Sequence, residues 1–199
     1  MKLVLFSGGV DSSVLVARAH RTRRLAGVLF VAYGQPAALQ EWRAARAVLG
    51  AIGAEAAWHE LLLDMACDDM RARPGEAGPR VVPARNLVFL AHGVNLASAL
   101  GAGTVEYGAT SDDWSDYPDC RPAFVSSLNA ALRAPDRVSG FDGWPRVSAP
   151  LIHSRKELIL QEAQYLGILK HTWSCYAPRD GHPCSTCDAC QARRLGDYP

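Results

Sequence analysis

The sequence predicts an α/β fold: a doubly wound parallel sheet with helices on both faces, followed by a small cysteine-rich tail. Two observations carry this prediction. Short apolar runs alternate with helix-periodic segments up to about residue 170, which is typical of a parallel sheet whose crossovers are helices. A short segment with a Cys-x₂-Cys-x₂-Cys spacing then breaks the pattern. We therefore expect two units, residues 1–170 and 171–199.

The elements of the first half follow from local patterns. An apolar run that stops at a glycine pair predicts a strand over residues 2–6, and a helix is predicted from Asp11 to about His20. Further strands are predicted over Gly27–Ala32 and Ala57–Leu62. Apolar residues at i, i+3, i+4 and i+7 predict a helix between these two strands. Its apolar face is formed by Ala45, Val48, Leu49 and Ile52.

The second half begins with residues 64–83, which are rich in proline and glycine and predict a loop. Pro122 suits the first turn of a helix whose apolar face carries Phe124, Val125, Leu128 and Leu132. Ser154 and Glu157 have the spacing of a capping box, which predicts a helix that Ser154 opens. The other predicted elements are the helix Asn86–Leu100, the strand Thr104–Tyr107 and a short strand near Arg146–Ala149.

Composition excludes several classes of protein. The chain has 199 residues, of which 49% are hydrophobic and 21% charged, so it can bury a core and is not disordered. Its formal net charge of +1, without a run of basic residues, argues against direct binding of nucleic acid. The longest strongly apolar run, Ala26–Ala32, is too short to cross a membrane. Because no signal peptide is recognisable, we expect a cytoplasmic protein. Its six cysteines are then better read as metal ligands, catalytic thiols or buried apolar residues than as disulfides.

A glycine- and serine-rich turn joins the first strand to the first helix. Gly8 and Gly9 let the backbone turn sharply and approach a ligand, and the helix start offers free N–H groups to a phosphate. Asp11 is placed to hold Mg²⁺ against such phosphates. The hydroxyl donors of this turn are Ser7, Ser12 and Ser13. Neither a Walker A loop nor the dinucleotide fingerprint is present, and a plain capped turn is the alternative.

Ser7-Gly8-Gly9-Val10-Asp11-Ser12-Ser13 resembles the PP-loop of the ATP pyrophosphatases. The resemblance implies a Rossmann-like sheet of the adenine nucleotide alpha hydrolase type over residues 1–170. It also implies cleavage of ATP to AMP and pyrophosphate, with adenylation of a carboxylate, amide or carbonyl oxygen. The segment from Pro150 to Ile159 resembles the second basic element of these enzymes, in which a lysine, here Lys156, meets the phosphates. A solvated helix lysine is the alternative.

The tail carries four cysteines with the spacing of a metal site. Three of them form Cys-x₂-Cys-x₂-Cys, and the fourth lies nine residues upstream. Four thiolates satisfy Zn²⁺ and leave no open position, which is typical of a structural site. An iron–sulfur cluster is the alternative, disfavoured because no Cys-Pro follows. The predicted ligands are Cys175, Cys184, Cys187 and Cys190, whereas Cys67 and Cys120 lie outside this group.

Residues 108–122 follow the fourth predicted strand, where a doubly wound sheet places its ligand. Asp119 and Arg121 have the chemistry to read a polar heterocycle and a carboxylate. Trp114 or Tyr117 is suited to stack on a flat ring. The alternative is a turn and helix cap whose aromatic side chains cover the core.

A more specific resemblance spans nearly the whole chain. The motifs that carry it are SGGVDSS, Tyr33-Gly34-Gln35, Val82–Asn86, Asp116–Arg121, Ala149–Leu151, Thr172–Tyr176 and the final cysteines. Together they look like the QueC family of 7-cyano-7-deazaguanine synthases. The resemblance implies catalytic roles for Asp11, Arg85 and Lys156, a structural zinc and a homodimer. It also implies that MgATP and ammonia convert 7-carboxy-7-deazaguanine to the nitrile through an acyl-adenylate and an amide.

The chain departs from the family pattern after the second strand. Ala32 stands where the family commonly has Asp, and Pro36–Ala38 stand where it has a His within a basic stretch. A second hypothesis is therefore a relative that stops at the amide or joins the acid to another amine, such as one on a protein. A third is a tRNA thiolase with Cys120 as thiol carrier, which the near-neutral charge disfavours. A non-catalytic nucleotide-binding module is a further alternative.

Overall fold

The computed structural model describes residues 1–65, 82–133 and 143–195. Within them lies a five-stranded sheet in the order β3-β2-β1-β4-β5, and every neighbouring pair is parallel. The strands are β1 (Lys2–Leu5), β2 (Leu25–Ala32), β3 (Ala57–Leu62), β4 (Thr104–Glu106) and β5 (Arg146–Ser148). The helices are α1 (Val10–Arg21), α2 (Ala38–Ala51), α3 (Arg85–Ala99), α4 (Pro122–Arg133), α5 (Lys156–Tyr165) and α6 (Asp188–Leu195). The predicted doubly wound α/β fold is confirmed.

Helices cover both faces of the sheet because successive strand residues point to opposite sides. Val4 and Val28 pack into a core with α1, α2 and α5, whereas Leu3 and Leu29 pack into a second core with α3 and α4. The predicted apolar face of the second helix lies in the first of these cores, although Ile52 comes just after the end of α2.

The strand and helix predictions differ from the structure at their ends. β2 begins at Leu25 rather than Gly27, because Leu25 still pairs with Lys2 of β1. The predicted loop over 64–83 falls largely on residues 66–81, which lie outside the described residues, as does Cys67.

The capping box predicted at Ser154 is wrong. α5 begins at Lys156, Arg155 is its N-cap residue, and no side chain of that residue caps the helix. Ser154 instead belongs to the preceding turn, where its N–H donates to the Leu151 carbonyl at 2.8 Å. Its own carbonyl accepts hydrogen bonds from Ser111 and is therefore turned away from the helix.

The strand order places the site. β1 lies between β2 and β4, so the chain leaves β1 in one direction and returns on its other side, which creates a switch point beside β1. The loops after β1 and β4 therefore meet at one edge of the sheet. No helix among the described residues is long and apolar enough to cross a membrane.

Candidate active site

The loop after β1 packs tightly against α2. Gly8 has a φ of +77°, and a Cβ built there would lie 2.5 Å from the Glu41 carbonyl oxygen and 2.6 Å from the Ala45 nitrogen. A second close approach occurs at Gly108 after β4, where a Cβ would lie 3.1 Å from the Ser12 nitrogen. Glycine is therefore required at Gly8, and both loops converge on the start of α1.

The serines of this loop mainly brace it. The Gly9 carbonyl accepts hydrogen bonds from the Ser13 hydroxyl at 2.7 Å and from the Ser12 hydroxyl at 3.1 Å. Ser7 is exposed, and its hydroxyl oxygen accepts the Gly9 N–H at 3.3 Å. Ser13 is fully buried, so its hydroxyl holds the loop, whereas Ser7 faces the open side of the site.

Asp11 and Lys156, predicted from distant parts of the sequence, form an ion pair. Lys156 Nζ lies 2.5 Å from Asp11 Oδ2 and joins the start of α5 to the start of α1. The other oxygen, Asp11 Oδ1, is buried and has no hydrogen-bond partner among the described residues. A carboxylate oxygen in this situation fits a divalent cation, which takes oxygen ligands.

Asp113 is a site residue that the sequence analysis missed. Its Oδ2 accepts hydrogen bonds from the Thr110 N–H at 2.9 Å and the Thr110 hydroxyl at 2.8 Å. Burial raises the pKa of Asp113; its bonds to Thr110 oppose the rise, and the nearby Asp11 carboxylate adds to it. The Thr-x-x-Asp spacing is the signal that would have found this turn.

The predicted substrate residues divide into two groups. Asp119 Oδ2 accepts the backbone N–H of Asn86 at 3.1 Å, and Arg121 Nε donates to the Trp114 carbonyl at 2.7 Å. Both residues therefore hold the segment in place. Trp114 packs edge-on against His153, with ring centroids 5.6 Å apart, and its buried Nε1 has no hydrogen-bond partner in the described part of the chain. Trp114 and the half-buried Tyr117 remain available to a ligand.

Arg85 lies in a network that joins the ends of β2 and α3. Its Nη1 donates to the Tyr33 hydroxyl at 3.0 Å, and its guanidinium lies over the Tyr33 ring. Gln35 Nε2 donates to Glu41 Oε2 at 2.9 Å, while Gln35 Oε1 accepts the Tyr33 N–H. Burial raises the pKa of Glu41, although its bond to Gln35 and the charge of Arg85 oppose this rise.

The start of the tail lies against the loop after β1, and the side chain of its Tyr176 is 54% exposed. Desolvation of its hydroxyl raises the pKa of Tyr176, and the nearby Tyr117, Asp113 and Asp11 add to the rise. The tail also contacts the loop after β1 directly, since the Trp173 N–H donates to the Gly8 carbonyl at 3.0 Å. The Thr172–Tyr176 motif is recognisable in the sequence, but its spacing predicts no role for Tyr176.

The four predicted metal ligands meet in the tail. The sulfur atoms of Cys175, Cys184, Cys187 and Cys190 all lie within 4.8 Å of one another. The Cys184 N–H donates to Cys175 Sγ at 3.1 Å, and the Cys187 N–H donates to Cys184 Sγ at 3.4 Å. N–H donors of this kind stabilise thiolates, so the four sulfurs form a closed donor set that fits a tetrahedral zinc ion.

Cys120 lies apart from this cluster. It is buried among the core residues of the α3–α4 side, and Asn86 Nδ2 donates weakly to its sulfur at 3.5 Å. Burial, with the charges of Asp113 and Asp119, raises the pKa of Cys120 to about 12. A thiol in this state is a poor nucleophile.

This geometry fits the PP-loop class of α/β proteins, with a glycine- and serine-rich loop after the first strand and a cysteine cluster in the tail. Two solved structures share the fold. The U34-tRNA thiolase NcsA from Methanococcus maripaludis, solved with its [4Fe-4S] cluster, has a TM-score of 0.55 at 13% identity over 99% of this chain and 64% of its own. The NMN synthetase from Francisella tularensis has a TM-score of 0.57 at 13% identity, over 100% of this chain and 77% of its own.

The particular family follows from the sequence comparisons. The family model described as "Queuosine biosynthesis protein QueC" matches residues 1–197. The 7-cyano-7-deazaguanine synthase of Novosphingobium aromaticivorans is 36% identical, over 98% of this chain and 89% of its own length. That of Synechococcus sp. strain RCC307 is 38% identical, over 96% of this chain and 91% of its own. The chain belongs to the QueC family, as its sequence motifs predicted.

Proposed function

We propose that this chain is an ATP-dependent carbon–nitrogen ligase that converts 7-carboxy-7-deazaguanine and ammonia to 7-cyano-7-deazaguanine. Membership of the QueC family, whose curated members carry the synthase name, supports the enzyme class and the product. The observation within the structure that carries the proposal is the Asp11–Lys156 pair beside the tight turn at Gly8.

The phosphates of ATP are proposed to lie in the loop after β1, against the start of α1. Ser7, Gly8 and Gly9 line this loop, the free N–H groups at the start of α1 favour negative charge, and Ser12 and Ser13 keep the turn rigid. Mg²⁺ would be held by Asp11 through its unpartnered Oδ1, and it would neutralise phosphate charge. Lys156 then changes partner, from Asp11 to the pyrophosphate that leaves.

The acid is proposed to bind between the segment after β4 and the α3 start. Trp114 and Tyr117 supply flat surfaces for the deazapurine ring, and Arg85 supplies positive charge on the phosphate side. Asp119 and Arg121 act by holding this segment, through their bonds to backbone atoms of Asn86, Trp114 and Ser115. Holding the carboxylate in line with the α-phosphate would lower the barrier by orientation, and the nearby positive charges would stabilise the phosphoryl charge of the transition state.

Two rounds of activation follow from the chemistry. A carboxylate oxygen attacks the α-phosphorus, pyrophosphate leaves, and ammonia then displaces AMP to give the amide and one proton. The amide oxygen attacks the α-phosphorus of a second ATP, and pyrophosphate leaves again. Loss of AMP and of both N–H protons of the amide then yields the nitrile. The same site serves both rounds because the amide oxygen occupies the place of the carboxylate oxygen.

The tail is proposed to be a structural zinc segment. The closed set of four thiolates leaves no position for a substrate, so the metal serves folding. The proposed boundary lies at residue 170, and the tail contacts the main domain through Trp173 and Arg193. A homodimer is also proposed, and sedimentation or light scattering of the zinc-loaded chain tests it.

A tRNA thiolase is not favoured. The thiolase likeness stands at 13% identity and concerns the fold alone. Cys120, the thiol carrier of that hypothesis, is buried with a raised pKa. The relatives are named 7-cyano-7-deazaguanine synthase, and this name does not favour a reaction that stops at the amide or joins the acid to a protein.

The deciding experiment is mass spectrometry of the products formed from 7-carboxy-7-deazaguanine, MgATP and ammonium, with AMP counted in parallel. We expect the nitrile mass and two AMP per nitrile. One AMP per product with an amide mass, or a mass added to a protein, would contradict the full reaction. Asp11→Asn is the inactive control. The matched active control is Glu157→Ala, which alters an exposed residue next to Lys156. Failure of the folded, zinc-loaded chain to turn over ATP with this acid would refute the proposal.

A further inference from the structure

The start of α5 is capped by a residue that is far away in sequence. The backbone N–H of Lys156 donates to Asp112 Oδ2 at 2.7 Å. Beside it, the Ser154 carbonyl accepts the Ser111 hydroxyl at 2.9 Å and the Ser111 N–H at 3.1 Å. Three hydrogen bonds thus fasten the turn after β4 to the segment that begins α5.

Lys156 is therefore held twice, by carboxylates from two different segments of the chain. Its backbone N–H is bonded to Asp112 after β4, and its ammonium group is bonded to Asp11 at the start of α1. The first N–H groups of a helix have no partner within the helix, so a helix start without a cap frays. Fraying at Lys156 would displace the same residue whose ammonium group reaches the phosphate loop.

The segment after β4, residues 108–122, makes a second contact of the same kind. Asp119, seven residues after Asp112, accepts the backbone N–H of Asn86 in the first turn of α3. The two capped helices begin at Lys156 and Arg85, the cations assigned above to the phosphates. One segment thus fixes the starts of both helices that carry these positive charges.

We propose that Asp112 is a positioning residue: by capping α5 from the turn after β4, it keeps Lys156 in place for the phosphates of ATP. The inference deepens the proposed function and rests on it for the chemistry, but its binding component needs only that MgATP binds at this loop. Without the cap, binding of MgATP must also order the start of α5. The free energy of capping is then subtracted from the free energy of binding.

The test compares Asp112→Ala, Asp112→Asn and the control Glu157→Ala in the full zinc-loaded chain. Titration calorimetry measures the Kd for MgATP, and thermal unfolding checks that each variant is folded. Loss of an N-cap typically corresponds to about fivefold in an equilibrium constant, so Asp112→Ala should weaken binding by about fivefold. Asn caps as well as Asp, so Asp112→Asn should bind within about twofold of the parent. Glu157→Ala removes a negative charge from the same helix turn without removing this hydrogen bond, and should also bind within about twofold.

Three results would overturn the inference. The first is an unchanged Kd in folded Asp112→Ala, because a role confined to stability lowers the Tm and leaves the affinity of the folded chain intact. The second is a loss of MgATP affinity in Asp112→Asn as large as that in Asp112→Ala. The third is an equally large loss in Glu157→Ala. Either result would show that negative charge matters and not the hydrogen bond of the cap. If the parent binds MgATP but does not turn over the acid, the proposed function fails while the calorimetric test of Asp112 still decides this inference.

Discussion

Replacing Gly8 by alanine tests the close packing of the phosphate loop. The substitution places a Cβ 2.5 Å from the Glu41 carbonyl oxygen, on a backbone with a φ of +77°. The left-handed conformation costs a non-glycine residue about 1–2 kcal/mol, and overpacking against backbone atoms that cannot rotate away costs about 1–3 kcal/mol more. We therefore expect Gly8→Ala to lower the free energy of unfolding by roughly 2–5 kcal/mol.

Two other glycines separate the causes. Gly53 has a φ of +63°, and no atom lies within 4 Å of the position that a Cβ would take there, so Gly53→Ala carries only the conformational cost. Gly50 lies inside α2 in equally open space, so Gly50→Ala should stabilise by about 0.5–1 kcal/mol. The expected order of stability is Gly50→Ala above the parent, then Gly53→Ala, then Gly8→Ala.

The assay is urea unfolding followed by tryptophan fluorescence, with pyrophosphate release measured on each variant below its transition. Gly8→Ala should also lose activity, because the displaced loop carries the Gly8 carbonyl that anchors Trp173. A Gly8→Ala chain no less stable than Gly53→Ala would refute the packing argument. Full activity in Gly8→Ala would refute the assignment of this turn to the phosphates.

Three further predictions concern the site and the tail. Asp11→Asn and Ser12→Ala should abolish or strongly reduce pyrophosphate release while far-UV circular dichroism stays unchanged; parental rates in both would remove the phosphate-loop assignment. Elemental analysis should find one Zn²⁺ per chain, lost in Cys187→Ser, whereas iron with visible charge-transfer absorption in anaerobic protein would contradict zinc. Because the pKa of Cys120 is raised to about 12, its thiol should stay protonated up to pH 9 and resist iodoacetamide in the folded chain, as peptide mass spectrometry will show. Its contribution to stability should be present below the ordinary thiol pKa and be lost as the pH rises toward 12, and rapid alkylation at pH 8 would contradict both statements.

Local patterns were enough to predict the sheet. The apolar runs and the 3.6-residue periodicity predicted five strands and most helix positions, with errors of one or two residues at the ends. Parallel connectivity alone then placed the loops after β1 and β4 at one edge, which is why Asp11 and the 108–122 segment could be expected together. The four cysteines were predictable for the same reason, because their spacing is local.

Long-range partners were not predictable. Ser154 and Glu157 have a capping-box spacing, yet the cap comes from Asp112, which lies 44 residues away. Asp119 and Arg121 bond to backbone groups that folding brings near, and their spacing did not predict these bonds. Their role toward a substrate stays a prediction. Sequence spacing reports neighbours along the chain, whereas these bonds depend on how separate elements pack.

Contacts between separate elements also decide what the departures from the family pattern change. Pro36–Ala38 lie at the start of α2, and Ala37 is buried there. The side chains of the preceding Tyr33–Gln35 motif bond elsewhere, since Gln35 bonds to Tyr33 and Glu41 and Tyr33 bonds to Arg85. Ala38 contacts the motif through its backbone N–H, which donates to the Gln35 carbonyl at 3.1 Å. The cations assigned to the phosphates come instead from α3 and α5. We therefore expect the changes at 36–38 to leave ATP cleavage intact, so that any effect they have is read in the mass of the product rather than in the release of pyrophosphate.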